Sequence, residues 1–74
     1  MPNEHERIRD AVREMARRYN TARRNHLNLA AEDMARHMKQ CMDSEKPSGY
    51  TYDVAYGADH LITSIIWNGV SYFV

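Results

Sequence analysis

Apolar residues follow two different periods along this chain. Ile8, Ala11, Val12, Met15, Ala16, Tyr19 and Ala22 recur at steps of three and four, which places them on one stripe of an amphipathic helix. Leu27, Ala30, Ala31, Met34, Ala35, Met38, Cys41 and Met42 form a second stripe of the same kind. Between the stripes, Asn20-Thr21 and Asn25-His26-Leu27-Asn28 weaken the helical signal, and Asn28 is a suitable N-cap. The spacing predicts a helical hairpin broken between 21 and 28, with one long bent helix as the alternative. Pro2 and Asn3, followed by Glu4 and Glu6, suit the positive end of the first helix dipole. Arg17, Arg18, Arg23 and Arg24 lie toward its negative end.

After residue 43 the period changes. Asp43 to Gly49 is rich in turn formers, and Pro47 ends any helix before it. Tyr50, Tyr52, Val54 and Tyr56 then alternate with Thr51, Asp53 and Ala55, the pattern of a half-buried strand. Gly57 to His60 reads as a four-residue turn. Leu61 to Trp67 is β-branched, and Asn68-Gly69 is the strongest short hairpin signal. The two turns predict compatible registers, pairing Tyr52 with Ile65 across the first and Ile65 with Tyr72 across the second. One face then carries Tyr50, Tyr52, Val54, Tyr56, Leu61, Thr63, Ile65, Trp67, Val70, Tyr72 and Val74. Leu61, Ile62, Ile65 and Ile66 also fit helical spacing, so a short helix over 60–66 capped by Asp59 is the competing reading. The fold expected is two-layer α+β (ααβββ): an N-terminal helical hairpin packed on a C-terminal three-stranded antiparallel meander. Within a single domain, 1–74, two helices occupy 3–43, a linker 44–49 and the sheet 50–74.

Composition limits what such a domain can be. Ten basic residues balance ten acidic ones over 74 residues, which argues against a polyanion-coating protein. The balance hides a division, because residues 1–24 hold seven Arg and four acids, a net +3, and residues 25–74 a net −3. A single Cys excludes an internal disulfide framework. No apolar run approaches membrane-spanning length, and the start is polar, so neither a transmembrane helix nor a signal peptide is expected. A cytoplasmic location follows as the expectation.

Catalytic signatures are sparse. The chain has no phosphate-cradling glycine loop, H-E-x-x-H, C-x-x-C or Gly-x-Ser-x-Gly elbow. Asp33, His37 and Cys41 share a helix face at i, i+4 steps, so a metal ion could bridge them. The same spacing equally suits a small core-edge Cys beside a surface ion pair, and no metal or other cofactor is expected. Cys41 with His37 or His60 could form a nucleophile–base pair, but a domain this small has little room for a water-excluding pocket. The domain is expected not to be an enzyme.

Binding is the better-supported expectation. Arg17, Arg18, Arg23, Arg24 and His26 lie in an acid-free stretch, and guanidinium forks suit phosphate or carboxylate recognition. A solvated face that complements the helix dipole uses the same residues. Away from the predicted core face, Ile62, Ile66, Ser71 and Phe73 lie on an uncovered sheet surface. The last strand is an edge with no charge and no Pro, and such edges are commonly paired, covered or used. Association through this sheet, as a homodimer or by strand addition to a target, is therefore expected. In size, single-domain form and lack of catalytic residues the chain resembles the small proteins of phages and other mobile elements. Inhibitors of host defence such as anti-CRISPR proteins are of that type. That resemblance implies a non-catalytic protein-binding module that regulates or inhibits a larger partner. The alternative is a small dimeric nucleic-acid-binding regulator with its arginine cluster on phosphates.

Overall fold

The computed structural model describes residues 4–74. It places two helices before three strands: α1 (Glu4–Arg24), α2 (Asn28–Glu45), β1 (Tyr52–Tyr56), β2 (Ile62–Trp67) and β3 (Val70–Phe73). The sheet is antiparallel in the order β1-β2-β3, so the ααβββ architecture is the one the periodicity predicts. Pro2 and Asn3, expected at the helix start, lie outside the described residues. No described helix is long and apolar enough to cross a membrane.

The helical hairpin is real, and its turn has a defined geometry. Leu27 N–H bonds to Ala22 C=O at 2.9 Å and His26 N–H to Arg23 C=O at 3.0 Å, the paired bonds of a Schellman motif. His26 takes the left-handed position of that motif, at φ 59°, where glycine or asparagine is usual. Asn28 is not the N-cap. That position falls to Leu27, whose apolar side chain cannot cap α2, while Asn28 Oδ1 accepts from Arg23 Nη1 at 3.2 Å. α2 also runs two residues further than expected, to Glu45, one residue before the extended Lys46.

Val12, Ala16 and Tyr19 of α1 and Ala31, Met38 and Met42 of α2 are buried together with Ile62, Ile65 and Trp67. Met42 is fully buried. Ala11, Leu27 and Ala30 belong to the sequence stripes but stay exposed, since the stripes are wider than the contact between the helices and the sheet. Tyr50, Tyr52, Val54, Tyr72 and Val74 pack against the core as predicted.

The sheet register departs from expectation in an instructive way. The Asn68-Gly69 hairpin is as predicted, with Trp67 opposite Val70 and Ile65 opposite Tyr72. Both turn residues have positive φ, 51° and 82°, as a type I′ turn demands. In the other hairpin, however, Tyr52 faces Trp67 and Val54 faces Ile65, while Tyr56 faces Ile62 and a bulge leaves Thr63 with no residue opposite it on β1. The loop is one residue longer than predicted, and the bulge adds one more. These two single-residue slips add to a shift of two along most of β1, which restores side-chain parity, so Tyr52 and Val54 keep the core face. Only the start of β2 changes sides: Ile62 turns inward and Thr63 outward. Gly57 permits this, because a Cβ there would lie 2.6 Å from Thr63 Cγ2.

Asn20 locks the bulged segment to α1. Its Nδ2 donates to Ile62 C=O at 2.9 Å and its Oδ1 accepts from Ile62 N–H at 2.7 Å. The side chain is only 6% exposed. A buried amide thus serves the strand as a neighbouring peptide group would.

Candidate functional site

The arginine stretch of α1 divides into two groups in space. Arg17 and Arg18 both reach Glu14, at 3.3 and 3.7 Å, on the exposed side of the helix. One carboxylate thus moderates two guanidinium groups. Arg23, Arg24 and His26 gather instead at the tip of the hairpin. Among the described residues neither Arg23 nor Arg24 has an acid within ion-pair distance, whereas Arg9, Arg13 and Arg36 have Asp10 or Asp33.

Arg23 is held by neutral groups. Its Nε donates to Tyr19 Oη at 3.0 Å and its Nη1 to Asn28 Oδ1 at 3.2 Å. The guanidinium also lies over the Tyr19 ring, 5.3 Å from the centroid, a cation–π contact. Tyr19 is buried and donates to His60 C=O at 2.9 Å. Helix, arginine and the β1–β2 turn are therefore fastened in series.

That turn, Ala58–His60, is itself unusual. Asp59 and His60 have φ of 58° and 61°, and Leu61 N–H closes the turn on Ala58 C=O at 3.2 Å. Two successive left-handed residues without glycine carry a conformational cost, of about 1 kcal/mol or more each. Left-handed His26 stands across from them, and all three line one cleft of about 510 Å³ with Arg23, Arg24, Asn28 and Leu61. A second cleft of about 500 Å³ adjoins it through Arg23 and His60, lined also by Tyr19, Glu32, Ala35, Arg36 and Tyr56. Tyr56 stands edge-on to Tyr19 at 6.3 Å between ring centroids. Burial pushes its phenol above the ordinary tyrosine range, so the group stays an uncharged hydroxyl.

Next to the cations is an apolar tip. Leu27 and Leu29 are 56% and 79% exposed, and with Ala30 they line a shallow surface that shares His26 and Asn28 with the basic cleft. Sequence reasoning placed Leu27 in the core stripe and passed over Leu29. The signal was present, since Leu29 is the one apolar residue of α2 that lies off the stripe. Tyr19, Tyr56 and His60 were missed as site residues because the turn that gathers them differs from the one predicted.

The predicted sheet surface is partly retained. Phe73 is 79% exposed, Ser71 is exposed and Ile66 is half-buried. Ile62 does not join them: the bulge turns it into the core, where it is 3% exposed. Nor are the edges bare. Arg13 of α1 reaches across to donate from Nε and Nη2 to Phe73 C=O, at 3.0 and 2.6 Å. On the opposite edge, Asp53 Oδ1 accepts from Val54 N–H at 2.8 Å. Pairing alternates along each strand, with Asn68 N–H on Thr51 C=O and Val74 N–H on Thr63 C=O. By that alternation both captured groups point away from β2. Charged side chains therefore blunt each edge.

Asp33 pairs with Arg36. Among the described residues no group of three His, Cys, Asp or Glu is placed to hold a metal ion. Burial, with Glu45 as a smaller contribution, raises the Cys41 thiol above the ordinary range, which disfavours its thiolate. Compared with known proteins, the chain matches no family model, no curated protein and no solved structure.

Proposed function

We propose that this domain is a non-catalytic module that binds a larger protein through its hairpin tip and regulates or inhibits it by occupying its surface. In format this is the manner of phage anti-defence inhibitors. The observation that carries the reading is the position of Leu27 and Leu29, exposed and contiguous with Arg24 and His26. Apolar side chains beside uncompensated cations suit an apolar groove rimmed by carboxylates. A phosphate backbone offers nothing to two leucines, which favours a protein over nucleic acid as the occupant.

The test is affinity capture from lysate, with and without nuclease, by the wild-type domain and by Leu29→Asp and Arg24→Glu variants. One protein should be retained after nuclease treatment and lost from both variants. Capture abolished by nuclease, or unaffected by either substitution, overturns the reading and in the first case favours the nucleic-acid alternative.

Self-association has a separate basis in the open sheet face, where Phe73 is exposed beside a half-buried Ile66. Because Arg13 and Asp53 occupy edge groups, this second reading is a face-to-face homodimer and not strand addition.

A further inference from the structure

The cleft between Tyr19, Tyr56 and Arg23 has chemistry of its own, independent of the leucine tip. A guanidinium carries five N–H donors, and Tyr19 and Asn28 take two of those of Arg23. Three N–H donors remain, one on Nη1 and two on Nη2, to grip a phosphate or carboxylate. Arg23 is positioned by a buried tyrosine and an amide, and among the described residues no acid neutralises it. It is oriented without being satisfied. His60 adds a further donor at the rim, and the exposed ring of Tyr56 forms a flat wall on the same cleft. Glu32 lines the cleft as well and supplies an acceptor for amino or hydroxyl groups. The volume of about 500 Å³ lies within the range of small-molecule sites.

We propose that this cleft binds a small phosphate monoester attached to a planar ring, of the mononucleotide class. The phosphate sits on Arg23 and His60, and the ring lies against Tyr56. The proposal needs no protein partner, so it stands or falls apart from the binding function of the tip.

Its test is a titration of isotope-labelled protein with AMP, ribose 5-phosphate and adenosine, read by amide chemical shifts. AMP should move the signals of Arg23, Tyr56 and His60 and saturate them. Ribose 5-phosphate, which lacks the planar ring, should bind about 5- to 150-fold more weakly, the value of one stacked base. Adenosine should not saturate. Arg23→Gln should abolish AMP saturation. Tyr56→Ala should leave ribose 5-phosphate binding intact and lower AMP to the same level, so a second variant carries the test even if Arg23→Gln misfolds. The proposal is overturned if AMP leaves these signals unmoved, if adenosine binds as well as AMP, or if Tyr56→Ala leaves the preference for AMP unchanged.

Discussion

Asn20→Ala should remove a large part of the stability of this domain. The amide makes two hydrogen bonds to one residue of β2, and Ile62 is 3% exposed, so water does not replace them. Two ordinary hydrogen bonds are worth about 1–3 kcal/mol together, and a buried peptide group left without a partner costs about 1–3 kcal/mol. The better helix propensity of alanine returns up to about 0.7 kcal/mol. The net loss expected is about 2–4 kcal/mol. A chain of 74 residues has about 4–11 kcal/mol in all. Urea unfolding followed by far-UV circular dichroism measures the difference, with the slope unchanged if only the clamp is lost. Asn20→Asp refines the test, because it keeps the acceptor for Ile62 N–H but aims an oxygen at Ile62 C=O. Its ionised form is disfavoured in the fold, which raises the folded pKa above the unfolded value of about 3.9. The variant should therefore lie closest to wild type below that pH and lose stability as pH rises through the folded value. A loss under about 1 kcal/mol for Asn20→Ala, with no pH-dependent deficit for Asn20→Asp, would refute the clamp.

Two further outcomes follow from the sheet. Gly57→Ala should cost about 1–3 kcal/mol, because its Cβ meets Thr63 Cγ2 at 2.6 Å. Thr63→Ser, which deletes that methyl, should restore much of the loss in a double-mutant cycle read by the same unfolding assay. Phe73→Ser should weaken concentration-dependent self-association in sedimentation experiments. Arg13→Met, which uncovers the Phe73 carbonyl, should strengthen it through the edge; unchanged association in both variants would count against any sheet-mediated contact.

Much of the architecture is legible in the sequence because it depends on local periods. Steps of three and four with no glycine or proline produce α1 and α2, and Asn68-Gly69 produces the second hairpin, since few residues tolerate positive φ at both turn positions. The face of β1 is legible for a less secure reason. The longer loop and the bulge each shift it by one residue, and the total of two restores the face, so Tyr52 and Val54 keep the expected side on an incorrect register. Between Leu61 and Trp67 nearly every residue is apolar or β-branched, so alternation there cannot distinguish Ile62 inward from Thr63 inward. Asn20 reads as a weak point of the helix because an amide in a sequence looks the same whether solvent or a strand satisfies it. The blunted edge of β3 is invisible in its own residues, because the protection comes from Arg13, sixty positions earlier.

The irregularity that defeats the register prediction also builds the candidate site. The extra loop residue creates the left-handed pair Asp59-His60, and Tyr19 takes the His60 carbonyl, fastening the turn to α1. Tyr56 is thereby set beside Tyr19 and Arg23, which closes the cleft between helix and sheet. The bulge then brings Ile62 under Asn20, so the strand is anchored one turn of α1 away from the site it frames. In a regular four-residue hairpin, Ile62 would add to the open apolar face. The strain held in the turn is thus offset by two interactions of α1, Tyr19 with His60 and Asn20 with Ile62. Removing either should loosen the cleft as well as the fold, which ties the stability of this domain to the geometry of its site.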